Sequence, residues 1–175
     1  SKSIGSIALE RRVDALFSRY TALGSPGAVV AVMQGGEVVL NKGYGLASIE
    51  LGVPITPATR FRIASVSKQF TVSAALMLAD EGKLDLKAAP HEYLKELAPL
   101  PVTIDQMMRN CSGLPDFLEL LRLGGHGLDK PARAEELFAA CARNGHLNFT
   151  PNSRFLYSNT NFLLLGLIVE RLSKM

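Results

Sequence analysis

The segment NFLLLGLIVERLSKM, residues 161–175, constrains the fold more than any other. From Leu163 to Val169 apolar side chains occupy nearly every face of a helix, so that helix must be covered from several sides. The pattern predicts a helix that is still running at Met175. What precedes it must supply the cover. Two β-rich runs, SPGAVVAVMQ and EVVLNKGYG, are separated by Gly35-Gly36 and predict a hairpin. Before them, Ile7, Leu9, Val13, Leu16 and Phe17 recur at helical spacing, giving an amphipathic helix to about residue 22. Residues 48–60, with Pro54 and Pro57, read as a loop returning to a short strand at RFRIA (60–64). A helix follows from Ser65 to about Ala79, stopped near Gly82. Pro90, Pro99 and Pro101 punctuate irregular chain, and Thr103 with Gln106 forms a capping box for a short helix through Met108. ARAEELFAACARN (132–144) predicts one more helix, ended near Gly145. Hairpin, helices and a buried last helix describe an α+β domain whose sheet lacks strands. No internal repeat, low-complexity stretch or linker marks a second domain.

Composition limits the function classes. The 175 residues are 47% hydrophobic and 20% charged, ordinary for a single globular domain. The net charge is only +3, and the longest basic cluster is Arg11-Arg12. Nucleic-acid and membrane surfaces call for longer basic runs, so neither partner is expected. No stretch of about 20 apolar residues is present, so no membrane span is expected. The N-terminal residues carry charges where a signal peptide needs an apolar core. A periplasmic location as a processed mature form, or a cytoplasmic one, both fit. Cys111 and Cys141 lack CxxC or Cys/His spacing and read as two free thiols, with a disulfide as the alternative.

Residues 62–71 read RIASVSKQFT, with Ser65 and Lys68 three positions apart. Thirteen serines and eight lysines produce such a pair roughly 0.6 times by chance, so the spacing alone is a weak signal. Its chemistry is specific. A serine hydroxyl needs an adjacent proton acceptor to become a nucleophile. Positions i and i+3 of a helix share a face, which brings Lys68 within reach of Ser65. Free N–H groups at a helix start would stabilise an oxyanion forming there. The competing reading makes Ser65 a helix N-cap and Lys68 a solvated lysine.

A second cluster, FLYSNTNF, sets Tyr157 and Asn159 two apart in an extended segment before the last helix. Alternate residues of an extended segment point the same way, so both can face one cavity. A tyrosine hydroxyl near cations can relay or accept protons, and an asparagine amide can hold a substrate carbonyl. Alternatively Tyr157 packs in the core and Asn159 caps the helix.

Ser65-Val66-Ser67-Lys68 followed by Phe70-Thr71, and Tyr157-Ser158-Asn159, resemble motifs of a known family. It comprises the serine hydrolases related to class C β-lactamases, penicillin-binding DD-carboxypeptidases, D-aminopeptidases and similar esterases. GVPITPATRFRIASVSKQFT, CSGLPD and KGYGLAS are similar to the same family, in the same order, over most of residues 26–172. The resemblance implies a β-lactamase/DD-peptidase-like α+β fold, an antiparallel sheet with flanking helices plus an all-α region. It implies Ser65 as the acylated nucleophile, Lys68 and Tyr157 as the proton-transfer pair, and Asn159 as a contact of substrate and of Lys68. The implied substrate is a small molecule or peptide with an amide, ester or β-lactam carbonyl. A sensor that acylates without turnover, and a silent interaction domain, are the alternatives.

Two departures stand out. Relatives carry a Lys/His-x-Gly motif on a later strand, which supplies the second oxyanion N–H, and none follows Asn159 here. Residues 1–175 therefore read as the N-terminal portion of one such domain, completed by a C-terminal segment in cis or as a second chain. Asn110 stands where many relatives have a histidine, a change expected to affect packing more than chemistry. Other schemes fit poorly. No G-x-S-x-G elbow surrounds any serine. GYGLAS lacks the third glycine of a dinucleotide fingerprint, HEYLK is not HExxH, and His91, His126 and His146 are isolated. No cofactor and no metal are expected.

Overall fold

In the computed structural model, residues 4–22, 24–127, 133–143 and 145–174 are described. The chain divides into one compact unit through Arg62 and a second from Ile63.

The first unit opens with α1 (Ile4–Leu16), continued by a 3-10 turn at Ser18–Thr21. The expected helix to residue 22 therefore ends six residues early. Val13 is buried, but Leu16 is 75% exposed and is no part of the core. β1 (Ala28–Gln34) and β2 (Glu37–Tyr44) pair antiparallel, with Gln34 opposite Glu37 and a bulge at Val32/Met33. Gly35 and Gly36 make the turn with φ of 58° and 84°, the left-handed pair that a two-residue hairpin requires. Val13, Leu40 and Tyr44 form the core of this unit, with Phe17 stacked on the Tyr44 ring. Asp14 accepts from Lys42 Nζ at 2.7 Å and from Tyr44 Oη at 2.8 Å, and Glu10 accepts from Lys42 at 3.0 Å. These carboxylates, Asp14 first, hold the Lys42 ammonium above its ordinary range.

The loop expected at 48–60 contains structure. β3 (Leu46–Ser48) and β4 (Val53–Pro54) form a second small antiparallel pair. The strand expected at 60–64 is absent: this stretch is irregular up to Ile63, and a 3-10 turn spans Ala64–Val66. Phe61 and Ile63 are both exposed, and no partner strand pairs with them among the described residues.

The second unit is helical. α2 (Ser67–Asp80) ends where Gly82, at φ 68°, donates to Ala79 O. α3 (Pro90–Tyr93) and α5 (Phe117–Leu123) are elements that periodicity did not suggest, being too short to show one. α4 (Ile104–Met108) starts at the Thr103–Gln106 capping box, with Thr103 N–H on Gln106 Oε1 at 2.9 Å. α6 (Ala134–Arg143) falls within the expected segment, whose ends Ala132 and Asn144 lie outside the described residues. α7 (Asn159–Ser173) packs against α2, α3, α4, α5 and α6. Its fully buried stripe is Asn161, Leu164, Leu165 and Ile168, against Ala75, Leu78, Leu94, Ile104 and Met107. Each such aliphatic side chain contributes about 1.5–3 kcal/mol by leaving water. α7 does not run to Met175: Lys174 takes a left-handed φ of 59° and closes it.

A buried polar seam ties the turn after α4 to the head of α7. Asn110 sits at φ 56°, its carbonyl accepts from Leu156 N–H at 3.0 Å, and its Oδ1 accepts from Ser158 N–H at 3.1 Å and Asn161 Nδ2 at 3.2 Å. Ser112 Oγ donates to Asn161 Oδ1 at 2.6 Å, and Thr160 Oγ1 donates to Pro115 O at 2.6 Å. At Gly113, with φ 80°, an added Cβ would lie 2.4 Å from Phe149 O, so no larger residue fits this turn. Asn110→Ala removes an acceptor from the buried Ser158 N–H and leaves an alanine in the left-handed region. The expected cost is about 2–4 kcal/mol, combining an unpaired buried donor with the left-handed penalty. Urea denaturation of the variant checks it, and a loss under about 0.5 kcal/mol would show that the seam carries little stability.

Candidate active site

Ser65 is presented by a strained turn rather than by a helix cap. The 3-10 turn Ala64–Val66 runs straight into α2, and Ala64 sits at φ 46°. A left-handed backbone costs a residue with a β-carbon about 1–2 kcal/mol, and such outliers concentrate at working sites. The Ser65 hydroxyl makes no cap to α2, whose N-cap, Val66, has no side-chain bond. It instead lies 2.8 Å from Tyr157 Oη, and Lys68 Nζ donates to it at 3.0 Å. The change from 3-10 to α winding between positions 65 and 68 still leaves the two side chains on one side.

Tyr157 and Asn159 arrive from the chain entering α7. Ser158 between them is extended, at φ −144° and ψ 124°, and is 1% exposed, so its neighbours point the opposite way. Asn159 is the first residue of α7 rather than its cap. Its Oδ1 accepts from Lys68 Nζ at 2.8 Å and from Tyr157 Oη at 3.5 Å. Tyr157 is 43% exposed, which excludes it from the core. Lys68 Nζ lies 4.9 Å from the Tyr157 ring centre and 5.2 Å from that of Phe162. All four side chains singled out in the sequence meet at one place.

Electrostatics lower the Tyr157 ionisation. Burial pushes the Tyr157 phenol up, but Lys68 and the Ser65 hydroxyl outweigh it, leaving the phenol below its ordinary value. Asp116 opposes that shift through its negative charge. Asp116 was not singled out in the sequence, yet its Oδ2 accepts both the backbone N–H and the Nδ2 of Asn159, the latter at 2.8 Å. Its Oδ1 caps α5 by accepting Leu118 N–H at 2.8 Å. The available signal was Pro115-Asp116 ahead of the apolar FLELL, the signature of a helix start. Asn110, expected to affect packing more than chemistry, accepts the Ser158 N–H between the two site residues. Cys111 and Cys141 are unbridged. Among the described residues no group of three or more His, Cys, Asp and Glu side chains is arranged to hold a metal ion.

Comparison with known proteins places this geometry in a family. The family model described as Beta-lactamase matches residues 13–175. Protein flp of Staphylococcus aureus (strain N315) is 34% identical over 175 residues, covering 94% of this chain and 34% of that protein. A D-aminopeptidase of Cereibacter sphaeroides is 35% identical over 165 residues, covering 93% of this chain and 31% of that enzyme. Among solved structures, EstCE1, a hydrolase with promiscuous acyltransferase activity, superposes at a TM-score of 0.82 with 26% identity, over 98% of this chain and 49% of that one. The chain spans about a third of the length of the curated relatives it matches. It belongs to the β-lactamase family of serine hydrolases and has the β-lactamase/DD-peptidase-like fold.

Proposed function

We propose that Ser65 is the nucleophile of a hydrolase that works through a covalent acyl-enzyme on an amide, peptide, ester or β-lactam carbonyl. The observation that carries this reading is the contact of one serine oxygen with two proton-handling groups, Tyr157 Oη at 2.8 Å and Lys68 Nζ at 3.0 Å. Such an arrangement of nucleophile and adjacent base is what serine activation requires. The activity is proposed for the complete protein, since this chain spans about a third of the length of its curated relatives. D-amino-acid peptides are a favoured substrate class because a relative is a D-aminopeptidase.

In acylation the Ser65 oxygen bonds to the carbonyl carbon as its proton passes to the Tyr157–Lys68 pair. The carbonyl π electrons move to oxygen, where the Ser65 backbone N–H is a candidate donor. When the tetrahedral centre collapses, the bond to the leaving nitrogen or oxygen breaks and the pair returns the proton to it. Water then repeats the sequence on the Ser65 ester, releasing the acid. Asn159 holds Lys68 through the 2.8 Å bond, and its Nδ2, which gives one hydrogen to Asp116, has a second with which to contact the substrate.

Intact mass of the complete protein after treatment with a fluorophosphonate or a fluorescent penicillin is expected to rise by one adduct at Ser65. Ser65→Ala is expected to abolish it, and an adduct that persists or maps to Ser67 overturns the assignment.

Lys68→Ala is expected to slow acylation by about 10² to 10⁴, the range for losing a positioned proton acceptor. The pH profile adds a check with a definite sign. The phenolate is the accepting form, so kcat/KM rises with pH through the Tyr157 ionisation. Because that ionisation lies below the ordinary phenol value of 10.0, so does the midpoint of the limb. Tyr157→Phe is expected to remove the limb while circular dichroism stays unchanged. Parental kcat/KM in both variants would return both motifs, Ser65–Lys68 and Tyr157–Asn159, to a structural role.

A further inference from the structure

We infer that Asp116 is a positioning residue that sets which end of the Asn159 amide faces the nucleophile. The inference rests on the acyl-enzyme reading above. An asparagine side chain has an accepting end and a donating end, and only its neighbours decide which points where. A carboxylate accepts and cannot donate. Asp116 Oδ2 therefore takes the Nδ2 end of Asn159 at 2.8 Å, and the same oxygen takes the Asn159 backbone N–H. With Nδ2 committed, Oδ1 is the end left to meet Lys68 Nζ at 2.8 Å and Tyr157 Oη at 3.5 Å. Reversing the amide would set its NH2 against the lysine nitrogen and point its oxygen at the Asp116 carboxylate. Both contacts would become repulsive.

The carboxylate is itself held in place. Its other oxygen caps α5 through Leu118 N–H at 2.8 Å, so the carboxylate is shared between a helix start and the site. On its far side the seam continues: Phe117 N–H donates to Thr160 Oγ1 at 2.9 Å, directly after Asn159 in α7. The residue therefore couples the first turn of α5 to the first turn of α7. No hydrogen bond joins it to Ser65 among the described residues, and its influence passes through Asn159.

The test compares acylation of Ser65 in the complete protein for the parent, Asp116→Asn, Asn159→Ala and the pair. Asparagine remains a good N-cap, so Asp116→Asn keeps α5, but it presents an NH2 that no longer dictates the Asn159 orientation. The acylation rate constant is expected to fall about 10- to 100-fold, the scale of a small misplacement near the chemistry. The reversible binding constant of the acylating agent is expected to stay within about threefold, and so is the rate for the pair relative to Asn159→Ala alone. A parental acylation rate in Asp116→Asn overturns the inference. So does a loss in the pair that multiplies the two single losses, which would place the action of Asp116 elsewhere. A parent that never labels at Ser65 defeats the acyl-enzyme reading instead. In that event the Asn159 side-chain amide protons decide the matter. Exchange about tenfold faster in Asp116→Asn supports the clamp, and unchanged exchange overturns it.

Discussion

The buried seam between the 110–116 turn and the head of α7 is the constraint on which the site depends. Tyr157 and Asn159 belong to a segment that would otherwise be a surface loop. Asn110 takes the N–H groups of Leu156 and Ser158, flanking Tyr157 on both sides, while Asp116 takes that of Asn159. Asn161, 1% exposed, then joins Asn110 and Ser112 through both ends of its amide. Polar groups in such surroundings are expensive when unpaired and directional when paired. That directionality orients two side chains, 43% exposed in the case of Tyr157, without burying them.

Asn110 shows how one residue serves two requirements. The turn needs a left-handed backbone, which asparagine tolerates better than most residues. The seam needs an acceptor that reaches two donors, which its Oδ1 supplies. The expectation that this position affects packing more than chemistry understated its reach. Its hydrogen bonds end one residue from Tyr157 on either side.

What was legible in the sequence was whatever is encoded locally. Gly35-Gly36 specifies a hairpin turn by backbone conformation, and Thr103 with Gln106 specifies a helix start by reciprocal hydrogen bonds. Both appear where expected. Helical patterning found α1, by spacing, and α7, by an apolar run that covers nearly every face. It failed at α3 and α5, of four and seven residues, where no period can be established. RFRIA, expected as a short strand, alternates basic and apolar residues, yet strand formation depends on a partner that alternation does not reveal. The meeting of Ser65 with Tyr157, 92 positions apart, rested on family resemblance, since spacing cannot show a contact made across the fold. Asp116 escaped notice because its sequence signal is that of a helix cap, and it is one. Its second oxygen does the work at the site, and nothing local in Pro115-Asp116 announces that.

The order of groups behind Ser65 has a physical rationale. Lys68 donates to two neutral oxygens, those of Ser65 and Asn159. A carboxylate placed directly on a lysine stabilises the ammonium form and removes it from proton exchange. Here the carboxylate of Asp116 stands one residue back, with the Asn159 amide between. The amide passes on orientation, because its two ends are chemically distinct, but it passes on little charge. Tyr157 meets the same arrangement from the other side: it is close enough to Lys68 to favour the phenolate, while the negative charge of Asp116 opposes this. A site built this way keeps a rigid donor–acceptor order with no ion pair to Lys68 among the described residues. In the proposed mechanism, that is the condition under which one proton moves between Ser65, Tyr157 and Lys68 and back again.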